Sequence, residues 1–180
     1  MTTFEIRDAK PWHCGQMSRM LRQEHHEAAL RVGMDSRRGL RDIYGQSYYR
    51  RAWFIDGELA GLGGVKASLL SPAGFIWLAL SQRATCYPIA IVKEARQQLA
   101  EIMKTKAEIY STIIDGDEAA KRLVIFLGFH LDHSQEGAPA YSIHGRRRLH
   151  DLLATGDIGR EMIGGGSFIR VGYHNDYAHQ

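Results

Sequence analysis

Apolar and polar positions recur along this chain at two different periods, and the switches between them outline its elements. Phe4-Glu-Ile-Arg7 alternates at period two and predicts a first strand, broken at Asp8 or at Lys10-Pro11. From His13 to Leu30, the residues Met17, Met20, Leu21 and Ala28 recur at helical spacing and predict one helix. Asp35 or Ser36 can cap a second helix that carries Leu40, Ile43 and Tyr44. Two apolar runs, Ala52 to Ile55 and Leu59 to Val65, then flank Asp56-Gly57. That dipeptide predicts a hairpin, because both turn residues take positive φ. Gly61, Gly63 and Gly64 inside the second arm predict a bulge or a backbone approached closely by something else.

In the second half, Ser71-Pro72-Ala73-Gly74 turns into a continuous apolar run, Phe75 to Leu80, which reads as a strand. A junction from Ser81 to Pro88 follows, and it contains no glycine. Pro88 suits the first turn of a helix, where its missing N–H has no partner to lose. Val92, Ala95, Leu99, Ile102 and Met103 form the apolar stripe of that helix. Glu108 to Ile114 predicts another strand, and Asp115-Gly116-Asp117 a turn and N-cap. Ala119, Ala120, Leu123, Val124 and Leu127 give the next helix, stopped by Gly128. Phe129 to His133 and Ala140 to His144 read as closing strands. After residue 144 the pattern changes to a short basic segment, then Gly164-Gly165-Gly166, then a polar and aromatic end. The expected organisation is a domain over 1–144 and an extension over 145–180 that crosses the surface or contacts a partner.

Composition narrows the class. The chain has 180 residues, 44% hydrophobic and 24% charged, which fits one globular domain with a substantial core. No apolar run is long enough to span a bilayer, and Asp8, Lys10 and His13 interrupt the N-terminus too early for a signal peptide, so a cytoplasmic location is expected. Two cysteines, Cys14 and Cys86, cannot build a disulfide framework. A net charge of +3 is too weak to indicate nucleic acid. The arginines do cluster, at Arg37-Arg38 with Arg41, at Arg50-Arg51 and at Arg146 to Arg148. Such short runs are read as solvated faces, with anion docking as the sharper alternative.

The chain carries no Ser-His-Asp order, P-loop or zinc spacing. His25 and His26 are adjacent on a helix and point in different directions, which makes them poor joint metal ligands. His130 and His133 fall on opposite faces of a strand. No metal is expected. Cys86, beside Arg83 at a helix start, is either a thiol of lowered pKa or, more ordinarily, a small buried hydrophobe.

Three segments carry a family resemblance: Ile55-Asp-Gly-Glu58 followed by Gly61, the Phe75–Leu80 strand followed by the Val92–Met103 helix, and Asp117-Glu-Ala-Ala-Lys-Arg-Leu followed by Leu127-Gly-Phe129. Together with the order of elements over residues 4–144, they resemble the GCN5-related N-acetyltransferase (GNAT) fold. A closer resemblance is to the acetyltransferase-like proteins of tailed phages, including internal virion proteins of short-tailed phages. The resemblance implies an α/β fold with a mixed, mostly antiparallel sheet flanked by helices. It also implies acetyl-CoA in a V-shaped gap between the fourth and fifth strands, with its pyrophosphate at a helix N-terminus.

On that resemblance the cofactor-binding residues are Leu80, Gln82, Arg83, Ala84, Tyr87 and Asp117. The family's loop is glycine-rich so that backbone can approach phosphate, whereas this chain has Cys86, Tyr87 and Pro88 there. The tyrosine that protonates the departing thiolate in many members is Val124 here, which donates no proton. Tyr110 is the substitute candidate for the acid and Glu58 for the base, with Asp115 and Asp117 as further acidic neighbours. Two functions follow as expectations. One is a non-catalytic structural or interaction protein of phage or prophage type, acting through a protein partner or a homo-oligomer in the host cytoplasm or virion. The other is an acetyl-CoA-dependent N-acyltransferase acting on a small-molecule amine.

Overall fold

A computed structural model describes residues 2–31, 35–68, 70–114, 117–131, 140–141 and 168–174. In chain order these form β1 (Phe4–Asp8), α1 (Pro11–Ser18), α2 (Gln23–Arg31), α3 (Ser36–Gln46), β2 (Ser47–Ile55), β3 (Glu58–Lys66) and β4 (Ala73–Leu80). A 3₁₀ helix (Gln82–Cys86) leads into α4 (Pro88–Met103), β5 (Glu108–Ile114) and α5 (Glu118–Phe126). β6 (His130–Leu131), β7 (Ala140–Tyr141) and β8 (Phe168–His174) complete the described elements. The strands make one sheet in the order β1-β2-β3-β4-β5-β8-β6, with β7 on β8. Among the described strands only β4–β5 and β7–β8 are parallel, so the mixed, mostly antiparallel sheet is as expected.

Local chemistry sets most of the boundaries. Asp56 and Gly57 turn at φ 51° and 79°, which is the hairpin geometry the dipeptide predicts. Asp35 caps α3 by accepting the N–H groups of Arg37 and Arg38. Pro88 opens α4, and Gly128 follows α5 at φ 92°.

Helices cover both faces of the sheet. On one face Cys14 and Met17 of α1 and Leu40 of α3 pack on Phe54, Leu62 and Trp77. On the other, Ile91, Ala95, Leu99 and Ile102 of α4 pack against Trp53, Val65, Leu80 and Ile109. Each fully buried aliphatic side chain there contributes about 1.5–3 kcal/mol. β4 sends Phe75, Trp77 and Ala79 to the first face and Ile76, Leu78 and Leu80 to the second. This double coverage is why its sequence is continuously apolar. Buried Lys106 ties down the turn before β4, its Nζ donating to the carbonyls of Ser68 at 2.9 Å and Ser71 at 2.5 Å.

Three expectations are revised. The helix expected from His13 to Leu30 is two helices, separated at Arg19 to Arg22. In α4 it is Ile91, not Val92, that is fully buried. Cys86 is exposed rather than buried. β8 lies between β5 and β6 and pairs with β5 from Glu108↔His174 to Ile114↔Phe168. A long antiparallel partner satisfies the β5 edge that the closing strands leave open. Arg146 to Arg148 and Gly164 to Gly166 lie outside the described residues.

The glycines of β3 mark a close approach made within the protein. A Cβ on Gly64 would stand 2.3 Å from the Tyr49 carbonyl and 3.2 Å from the Trp77 indole nitrogen. The register between β2 and β3 also shifts opposite Trp53 and Phe54, the bulge the glycines predict.

Candidate functional site

β4 and β5 pair at three positions only, Ala73↔Glu108, Gly74↔Ile109 and Phe75↔Tyr110. At the last of these the two rings meet edge to face, 5.7 Å between centroids. Beyond it no further pairs form between the strands, and the notch between them holds a cavity of about 370 Å³. Trp77 and Leu40 line it from one side of the sheet, and Leu99, Leu123 and Val124 from the other.

The notch edge of β4 is occupied at its outer end. Ser81 N–H donates to Ala60 O of β3 at 2.9 Å, so Leu80 C=O, in the same trans peptide, points the opposite way, toward β5. That carbonyl accepts from Arg22 N–H at 3.2 Å, and Gln82 N–H donates to Met20 O at 3.0 Å. The chain between α1 and α2 therefore runs along β4 as a short antiparallel bridge, Leu21↔Ser81. This bridge is the physical reason the expected long helix breaks: Met20 and Arg22 use their backbone groups on β4.

The Arg22 side chain then crosses to the other wall. Its Nη2 donates to both carboxylate oxygens of Asp117, at 3.0 and 3.1 Å, and its Nε stands 3.4 Å from Glu24. Asp117 also caps α5, accepting from Ala120 N–H at 2.9 Å. Both partners are buried, so the pair bridges the wide end of the notch away from water. His25, in the first turn of α2, lines the cavity beside them. Burial holds its imidazole below the ordinary histidine range, and the Arg22 charge adds to this against the opposing Asp117.

The junction after β4 does not form a phosphate cradle. Residues 82–86 wind into a 3₁₀ helix that uses its own donors: Ala84 N–H goes to Ser81 O at 3.1 Å and Tyr87 N–H to Ala84 O at 3.0 Å. Pro88 supplies no donor. Ile91 N–H to Tyr87 O begins the α4 ladder, which leaves Ile89 and Ala90 to supply the open donors of the helix start. Arg83 turns away to the hairpin, where it bonds Glu58 at 2.5 Å and Asp56 at 3.3 Å. The junction therefore lacks the glycine cradle and keeps only the open donors of the α4 start.

Of the residues expected at the site, Leu80 and Asp117 line the notch. The Gln82 N–H is used by Met20, Arg83 and Glu58 neutralise one another outside the cavity, and Ala84 and Tyr87 pack into the α4 cluster. Tyr110 stands at the vertex against Phe75. Val124, at the family's general-acid position, does face the cavity. Arg22 was not expected, because a lone arginine within a helical pattern carries no local signal. His25 drew notice only beside His26, whose Nδ1 lies 3.0 Å from Ser36 Oγ. Among the described residues no group of three or more metal-binding side chains converges, and no helix is long and apolar enough to cross a membrane.

The chain matches no protein-family model, and no curated protein is detectably similar in sequence. Solved structures are similar in fold. Mycobacterium smegmatis RimJ, in complex with CoA-disulfide, aligns over 98% of this chain and 84% of its own, with TM-score 0.59 and 14% identity. The PaiA N-acetyltransferase of Thermoplasma acidophilum, in complex with coenzyme A, aligns over 96% and 99%, with TM-score 0.58 and 12% identity. The putative acetyltransferase YncA of Salmonella typhimurium, with acetyl-CoA, aligns over 99% and 98%, with TM-score 0.56 and 12% identity. The protein thus has the GNAT acetyltransferase fold; at these identities the likeness is one of fold.

Proposed function

We propose that this protein is a non-catalytic member of the GNAT fold, a structural or interaction module of the virion-associated type that tailed phages carry. In this reading it works through a protein partner or a second copy of itself, in the host cytoplasm or the virion. The observation that carries the reading is the occupied edge of β4. Leu80 C=O and Gln82 N–H, which face the notch, are bonded to Arg22 and Met20. The 3₁₀ helix over 82–86 and the paired Arg83 support it further. Fold by itself does not supply activity; the site does.

The notch itself favours a second reading, an acyl-CoA-dependent N-acyltransferase acting on a small-molecule amine. Its support is the cavity between β4 and β5, together with neighbours of the same fold solved with acetyl-CoA or coenzyme A.

Titration of acetyl-CoA by calorimetry and thermal shift separates the two. A ligand at 100 times its dissociation constant adds about 2.7 kcal/mol of stability. The non-catalytic reading expects no heat and no shift at millimolar acetyl-CoA; a saturable shift overturns it in favour of the second.

A further inference from the structure

We propose that the β4–β5 notch is a binding pocket for a small uncharged, largely apolar molecule bearing one hydroxyl, which hydrogen-bonds the His25 ring. The inference rests on the reading that the notch does not hold acyl-CoA. An apolar cavity of about 150 Å³ admits benzene, so a space of about 370 Å³ admits about 10–15 heavy atoms, the size of a bicyclic ring system.

Charge and hydrogen bonding choose the class. The walls are built chiefly from Leu, Ile, Val, Trp and Ala side chains. Its charged lining residues are all paired, Arg22 with Asp117 and Arg51 with Asp8. A charged ligand would lose its hydration there without a free counter-charge. The His25 ring lines the cavity and forms no hydrogen bond among the described residues. The half-buried His25 ring has no protein partner among the described residues, and a bound hydroxyl can donate to it or accept from it as the tautomer requires. Half-buried Ala29 of α2 and Ser36 and Gly39 of α3 also line the cavity. An apolar pocket of this size with a few convergent polar groups has the general form of a small-molecule site.

The probe is 2-naphthol, titrated into the full chain by calorimetry and followed by melting temperature. One site with a dissociation constant of about 100 µM or tighter is expected, as a ligand of this size can achieve. Absence of both heat and shift at about 1 mM overturns the proposal. Two variants fix the location. Val124→Phe puts a ring into the cavity and should weaken 2-naphthol about tenfold or more while the protein still melts cooperatively. His25→Leu should weaken 2-naphthol about fivefold and leave 2-methylnaphthalene unchanged. Unchanged affinity in both variants, or equal loss of both ligands in His25→Leu, overturns it. Naphthalene-2-sulfonate, with the same ring and a charge, should bind much more weakly; equal binding refutes the uncharged class. Acetyl-CoA is titrated in parallel. Binding there overturns the non-catalytic reading, whereas the pocket itself stands or falls on the 2-naphthol arms.

Discussion

Arg22 and Asp117 meet across the wide end of the β4–β5 notch, the guanidinium donating to both carboxylate oxygens at 3.0 and 3.1 Å. They lie 95 positions apart in sequence and are 6% and 5% exposed. One comes from the α1–α2 connection and the other from the start of α5, so the pair ties two layers of the fold together.

Breaking that pair from one side should be far worse than removing it from both. Arg22→Met leaves the Asp117 carboxylate buried and unpaired, which costs about 3–5 kcal/mol. Asp117→Asn keeps a capping side chain for Ala120 N–H but strands the arginine. The double variant Arg22→Met with Asp117→Asn should be more stable than the sum of the single losses by about 1–3 kcal/mol. Urea denaturation of the four proteins in the cycle measures this; strict additivity would contradict an energetically coupled pair.

A fragment ending at residue 144 should not fold cooperatively. It lacks β8, which pairs with β5 over seven positions and also carries β6. Without it the β5 backbone edge is open and the sheet loses its connection to β6. Circular dichroism and thermal melting of the fragment against the full chain test this. A cooperative melt within a few degrees of the full chain would show that the last strand is dispensable.

Two glycines should respond in opposite directions. Gly64→Ala drives a Cβ to 2.3 Å from the Tyr49 carbonyl, a backbone atom held in the sheet, and should destabilise by about 2 kcal/mol or more. Gly45 lies inside α3, with nothing within 4 Å of the position its Cβ would take. Gly45→Ala should therefore stabilise by about 0.5–1 kcal/mol through helix propensity. Chemical denaturation of both variants decides the signs.

Acid should weaken the fold in the histidine range. Burial lowers the pKa of both His25 and His13, and His13 Nδ1 accepts Lys10 N–H at 3.0 Å, which requires that nitrogen to be unprotonated. The charges facing His25 are Arg22 and His26, which oppose its protonation, and Asp117 and Glu24, which favour it. With folded pKa values below the unfolded one, near 6.5, the unfolded chain binds protons first as pH falls. Stability is then complete above about pH 6.5 and declines below it, until the folded values are passed. Melting temperatures from pH 8 to pH 5 should fall with this sign, and His25→Gln should flatten part of the slope. A slope unchanged in His25→Gln would remove His25 from the account.

Much of the order of elements was legible in local chemistry. Asp56-Gly57 marks its hairpin, Asp35 and Asp117 their caps, and Pro88 its helix start, because each acts on backbone within a few residues. Phe75 to Leu80 reads as a strand from its continuous apolar run, which is also a local signal. The helix break at Arg19 to Arg22 was not legible. Its cause is a pairing with Leu80 and Gln82, about sixty residues away, and nothing near Met20 records that partner. The same distance hid β8 behind a glycine-rich stretch that reads locally as an extension.

The sequence by itself determined that this chain forms an α/β sheet fold with a glycine-free junction after its fourth strand, since turn, cap and periodicity signals are local. Only the tertiary structure decided that the junction winds into a 3₁₀ helix, that Arg83 is held by Glu58 and Asp56, and that Met20 to Arg22 takes the edge of β4. It also decided that Arg22 and Asp117 close on each other beside His25. Those outcomes depend on which strand edges and charges are brought together in space, and a donor or a carboxylate is committed only when its partner arrives.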